Sequence, residues 1–269
     1  MLNKKNKIKL VIISALIVTI FSLSVISSKE QNTVETAATA ESNNKIEWGI
    51  KRADNHMQPD VGASNRKALE ENEGICLGSK DKKNIYLTFD AGYEAGYTPE
   101  ILQALKEAQV PAIFFITGHY LNSKPELVQQ MLEEGHLVGN HTVNHKSMPS
   151  ITDEEIQKEM MDLHKAVYEK FAYEMKYTRP PKGEFNERTI KATNNLGYKT
   201  VMWSFAYADW EENNQPSEEE AKQKIISNVH NGEIMLLHST SKTNAKVLPE
   251  VIKEIKNMGY EFKSLDEFE

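Results

Sequence analysis

From Ile85 onward the sequence alternates short β-branched and aromatic runs with longer amphipathic segments, and this order restricts the fold more than any other feature. The runs at 85–89, 113–117, 137–139, 177–179, 199–203, 234–237 and 260–262 have the length and composition of strands. The segments at 99–109, 125–134, 153–171, 187–196, 217–230 and 244–258 read as helices. Thr98 is placed as the N-cap of the first helix with Pro99 at its first position, and Gly135 and Gly197 close two others. Strand–helix–strand repetition implies parallel strands covered by helices. Seven such strands predict an α/β fold, a distorted or incomplete (β/α) barrel with surrounding helices, with an open doubly wound sheet as the alternative.

The residues that follow these strands carry chemistry. Asp90 follows the first, His141 and His145 the third, Arg179 the fourth, Asp209 the fifth by a few positions, and His238 the sixth. In a parallel barrel all C-terminal strand ends open on one face, so residues spread from 90 to 238 should converge there. A lone Asp after a strand is ordinarily a helix cap and a lone His a packing residue; a titratable group at five strand ends is a site. His141-Thr-Val-Asn-His145 has a spacing that can put two imidazoles on one cation. His56, His119, His136, His164 and His230 read as surface or packing residues.

The N-terminus has a different character. Lys4, Lys5, Lys7 and Lys9 precede an uncharged apolar run ending at Ile26, the layout of an export signal, either cleaved or retained as an anchor. Residues 1–28 form this segment, 29–44 a polar linker, 45–80 an N-terminal flap with Trp48 and a helix-like stretch 64–71, and 81–269 the main domain. The first forty residues hold five Lys and two Glu, so the net charge of −7 reflects a still more acidic body. With no basic cluster, that body is a poor partner for nucleic acid. Cys76 is the only cysteine, which excludes an intrachain disulfide.

Thr88-Phe89-Asp90, His141-x3-His145, Arg179-Pro180-Pro181, Asp209-Trp210 and Leu236-Leu237-His238 together resemble the five ordered motifs of the polysaccharide deacetylase family, the NodB-homology domain. Tyr86 to Pro99 is most similar to the delta-lactam-biosynthetic de-N-acetylases, which act on N-acetylmuramic acid in spore cortex peptidoglycan. The resemblance implies roles residue by residue. His141 and His145 would hold a divalent cation, zinc, and Asp90 would be the general base, fixed by Arg179. The Lys182 backbone N–H would help bind the oxyanion. His238 would be the general acid, oriented by Asp209. Leu236 and Trp210 would wall a pocket for the acetyl methyl, or serve as ordinary core.

One position departs from the family pattern. Ala91 stands where members usually have a second Asp as third metal ligand, so the metal should be weakly held, unless Glu94 substitutes. The resemblance further implies peptidoglycan glycan strands as partner, action after a peptide-stripping amidase, and a place outside the cytoplasmic membrane. Alternatives are an N-acetylglucosamine deacetylase or O-acetyl esterase of the same family, and a catalytically dead carbohydrate-binding protein. Mere binding does not require base, acid and both their orienting partners.

Overall fold

The structure, a computed structural model, describes residues 44–269. The export segment 1–28 and the linker up to residue 43 lie outside the described residues. In chain order the elements are β1 (Ile46–Glu47), α1 (Ala63–Glu70), β2 (Asn84–Ala91), α2 (Thr98–Ala108), β3 (Ile113–Ile116), α3 (Gly118–Ser123), α4 (Pro125–Glu133), β4 (Leu137–Asn140) and α5 (Asp153–Phe171). There follow β5 (Tyr177–Thr178), β6 (Glu184–Phe185), α6 (Glu187–Asn195), β7 (Lys199–Thr200), α7 (Glu218–Asn228), β8 (Glu233–His238), α8 (Lys242–Asn257) and β9 (Glu261–Phe262).

Seven strands form one parallel sheet in the order β7-β5-β4-β3-β2-β8, with β9 beside the first residues of β2. The sheet curls into the expected incomplete barrel. Past β7 the Ser204 and Phe205 N–H groups donate to the Ile234 carbonyl at 3.0 and 3.2 Å. Residues 75–78 close the remaining seam: Ile75 N–H donates to Thr200 O at 2.7 Å and Gly78 N–H to Gly232 O at 2.8 Å. At Gly232, φ is +67° and a Cβ would lie 2.4 Å from the Gly78 carbonyl carbon, so only glycine fits this crossing.

Strand alternation sorts the side chains. Ile85, Leu87, Phe89 and Ala91 pack outward against helices, with Ile101, Leu105 and Ile252. Tyr86 packs inward with Ile113, Phe115, Tyr177 and Ile234, so the barrel is filled rather than hollow. The inward series Tyr86, Thr88, Asp90 therefore ends in the carboxylate at the C-terminal mouth.

Three local expectations are corrected. Thr98 is not the cap of α2 but lies inside it; the Glu94 carboxylate accepts from the Thr98 N–H at 3.3 Å and the Gly96 N–H at 2.5 Å. β7 is two residues long rather than five, because beyond Val201 its backbone partners become Ile75 and then β8. Helix α3 was not anticipated; its six residues are entered through the Thr117 side chain, which accepts from the Tyr120 N–H.

A second cluster lies to one side of the barrel. Antiparallel β1 and β6 pair Ile46 with Phe185 and Glu47 with Glu184. Trp48, Val61, Leu69, Cys76 and Leu77 pack there against Phe185, Ile190 and Met202.

Candidate active site

Asp90, the penultimate residue of β2, has only one carboxylate oxygen committed. Oδ1 accepts a charge-assisted hydrogen bond from Arg179 Nη1 at 2.8 Å. The same nitrogen donates to Thr88 Oγ1 at 2.9 Å, and Arg179 Nε donates to the Val201 carbonyl at 3.1 Å. Arg179 is fully buried, with its guanidinium carbon 4.4 Å from the Phe115 ring centre and 5.6 Å from that of Trp203. Phe115 can occupy that place because its neighbour on β4 is Gly139, where a Cβ would stand 2.4 Å from the ring. Burial alone would raise the Asp90 carboxyl. The Arg179 charge, helped by His141 and His238, overrides it and holds the carboxyl below the usual range, so Asp90 is ionised.

His141 is delivered by the turn after β4. Its Nδ1–H donates to the Arg179 carbonyl at 2.7 Å, which leaves Nε2 bare. That nitrogen lies 3.2 Å from His145 Nε2 and 3.6 Å from Asp90 Oδ2. Burial holds both imidazoles neutral; His145 is pushed down to about 4, with His141 as the second cause. The turn is held open by two left-handed residues, Thr142 (φ +66°) and His145 (φ +54°). Asn140 Oδ1 accepts the Thr142 N–H at 2.9 Å, and Glu159 of α5 grips Asn144 through its N–H (2.7 Å) and its amide (2.8 Å).

Two neutral ring nitrogens facing each other at this distance suit a shared divalent cation. Among the described residues, no group of three His, Cys, Asp or Glu is placed to hold one. The residues whose chemistry suits such a cation here are His141 and His145. Ala91 is fully buried in the cluster beneath the helices. Glu94 is engaged elsewhere, with Gly96, Thr98 and the Tyr120 hydroxyl, and does not supply a third ligand.

His238 lies directly beside Asp90 in the β2–β8 register. Its Nδ1–H donates to Asp209 Oδ1 at 2.7 Å, and its backbone N–H donates to Asp209 Oδ2 at 2.8 Å. Asn244 of α8 gives the Asp209 carboxylate its third hydrogen bond, to Oδ2 at 2.6 Å, and is itself held by the Tyr207 hydroxyl. Burial works against a charged His238, but Asp209 outweighs it and raises the imidazole above its ordinary value.

The remaining predicted residues lie around these pairs. Leu236 is buried on β8 opposite Thr88. Trp210 is half exposed, with its ring centre 5.5 Å from that of His238. Lys182 has an exposed side chain and a left-handed backbone, φ +60°. Asn244, Glu159, Thr88, Phe115, Gly139 and Trp203 were not foreseen. Of these, only Thr88 stands inside a motif.

The polysaccharide deacetylase family profile matches residues 78–201. An uncharacterised 30.6 kDa protein of Geobacillus stearothermophilus is 45% identical over 86% of this chain and 87% of its own length. The peptidoglycan-N-acetylmuramic acid deacetylase PdaA of Bacillus subtilis is 42% identical over 86% of this chain and 89% of its own. The solved structure of Bacillus subtilis PdaA, described as a family 4 carbohydrate esterase, has a TM-score of 0.82 at 42% identity, covering 84% of this chain and 97% of that one. The chain belongs to the polysaccharide deacetylase family and is a hydrolase of amide bonds.

Proposed function

We propose that the protein removes the N-acetyl group of N-acetylmuramic acid in peptidoglycan, with Asp90 as base and His238 as acid. The observation that carries the mechanism is the adjacency of two differently anchored groups, an ionised Asp90 held by Arg179 and a His238 held by Asp209. The choice of sugar is supported by the likeness to a muramic acid deacetylase along most of the chain.

With Oδ1 tied to Arg179, Asp90 Oδ2 takes the proton of the attacking water as its oxygen bonds to the acetamide carbon. The oxyanion formed is met by the Lys182 N–H. His238 then passes its Nε2 proton to the sugar nitrogen as the carbon–nitrogen bond breaks, releasing acetate and an amine. Asp209 keeps the imidazole in the tautomer and charge that this requires. Leu236 and Trp210 border the methyl group. His141 and His145 are the residues to hold a divalent cation, zinc by its preference for imidazole, and when bound it supplies positive charge that polarises the carbonyl. Lacking a carboxylate at Ala91, the chain holds it weakly.

The freed amine and the lactyl carboxyl sit on neighbouring carbons of one sugar, close enough to form a six-membered lactam with loss of water. This needs a free lactyl group, so an amidase that strips the stem peptide acts first. Both steps take place outside the cytoplasmic membrane, where peptidoglycan lies and where the segment 1–28 would direct the chain.

Mass spectrometry of digested glycan strands tests the reading. Peptide-free strands should lose one acetyl group per muramic acid, and one water where the lactam closes; a chelator should suppress both. Release of acetate mainly from glucosamine residues, or equally from peptide-bearing strands, would overturn it.

A further inference from the structure

We infer that Trp48, which precedes the family-matched residues 78–201, is a positioning residue that fixes both the Lys182 turn and the support of the Arg179–Asp90 pair. The inference rests on the proposed roles of Asp90 and Lys182. β1 brings Trp48 to the site: its pairing with β6, and the Lys45–Glu184 ion pair at 2.8 Å, set the chain down beside Gly183. Trp48 then makes two hydrogen bonds to segments far apart in sequence. Its backbone N–H donates to Gly183 O at 2.9 Å, and its indole Nε1–H donates to Trp203 O at 2.9 Å.

Each bond leads into the chemistry. Lys182 and Gly183 are consecutive left-handed residues (φ +60° and +66°), and a non-glycine residue stays in that region only where its surroundings hold it. The surroundings here are tight. A Cβ on Gly183 would meet the Trp203 ring at 2.6 Å and Trp48 Cβ at 3.2 Å, so the three residues interlock. The direction of the Lys182 N–H depends on that turn. On the other side, the Trp203 ring lies 5.6 Å from the Arg179 guanidinium carbon. Arg179 Nε and Nη1 are hydrogen-bonded, but Nη2 is buried with no hydrogen-bond partner, so this end of the planar guanidinium is held from outside only by packing against the Phe115 and Trp203 rings. A shift of Trp203 therefore reaches Asp90 through the guanidinium.

Leu69 belongs to the same side cluster as Trp48 and makes neither bond, which gives a control. Trp48→Phe keeps an aromatic ring against Phe185 and the backbone bond, deletes the indole donor and shrinks the ring. The expected result is about a ten-fold lower kcat with KM unchanged, since a small misplacement of reacting groups acts on the chemical step. Without substrate, amide exchange over 179–183 should quicken. Leu69→Ala should lower Tm further yet leave kcat at the wild-type value. Trp203→Phe, which retains the accepting carbonyl and shrinks the ring beside Arg179, should repeat the kcat loss and covers the case in which Trp48→Phe folds poorly. A wild-type kcat in Trp48→Phe, or an equal kcat loss in Leu69→Ala, would overturn the inference. If the wild-type protein proves to deacetylate another sugar, the substrate assignment fails, while the kcat ratio measured on that sugar still decides the role of Trp48.

Discussion

Two anchored pairs face each other across adjacent strands and are built in opposite ways. On β2, Asp90 is tied to an arginine with no exposed surface, whose other contacts are a hydroxyl, a backbone carbonyl and two aromatic rings. On β8, His238 keeps 22% of its side chain exposed and turns only Nδ1 inward, to Asp209. A base that must receive a proton from one small molecule gains from a fixed direction. An acid that must deliver a proton and then regain one from solvent needs an open side. The site is accordingly rigid on the β2 side and accessible on the β8 side.

The largest effect should come from the rigid side. Asp90→Asn removes the proton acceptor and leaves Arg179 buried without a charge partner; turnover should fall below detection, and stability by about 3–5 kcal/mol. Denaturant unfolding beside the deacetylation assay checks both, and a fully stable Asp90→Asn would mean that the arginine does not depend on this carboxylate. His238→Ala should cost roughly 10²–10⁴ in kcat with a smaller change in unfolding, because Asp209 keeps its hydrogen bonds from the residue-238 backbone N–H and from Asn244. Equal losses of stability in the two variants would erase the contrast.

Asp209→Asn sharpens the comparison through pH. With Asp209 ionised, the His238 pKa is raised, so the pair's stabilisation is complete below the imidazole's unfolded value and is lost as pH rises through the folded one. Activity that needs protonated His238 declines on the same alkaline side. In the variant, burial is no longer outweighed, and the alkaline limb of kcat against pH should move to lower pH. An unmoved limb would assign it to another group. The smallest effect is expected from Gly139→Ala, where the new Cβ must displace the Phe115 ring beneath Arg179. It should destabilise by about 1–3 kcal/mol and lower kcat a few-fold. The alkaline limb should stay in place, since His238 is not touched.

The parallel barrel and the strand-end residues were legible because both depend on short-range pattern: strand composition, helix spacing, and the polar residue that follows. What the pattern did not reveal is how those residues are held. Asn244 reaches Asp209 from a helix 35 residues away, and Phe115 reaches Arg179 only because Gly139 leaves room. Neither requirement has a local signature. Glu94 misled for the same reason. A carboxylate four residues after Asp90 suggests a ligand, yet the nearest donors are backbone and hydroxyl groups at the start of α2, which absorb it. The two-residue strands β1, β5, β6, β7 and β9 are too short for periodicity to bound.

The seam of the barrel has a consequence for how the chain reaches this state. Trp48 bonds to Trp203 across 155 residues and Arg52 to Ala206 across 154, and residues 75–78 bridge β7 to the entry of β8. Among the described residues, the N-terminal part is thus the part that docks last, since these partners do not exist until most of the polypeptide has emerged. Contacts of such long range slow folding, because loop closure must precede any gain from packing. A nascent chain lacking β7 and β8 has an unsealed sheet edge and none of these partners for Trp48, Arg52 and residues 75–78. Closure of the barrel therefore waits for β7 and β8, and the seam acts as a timer as well as a joint.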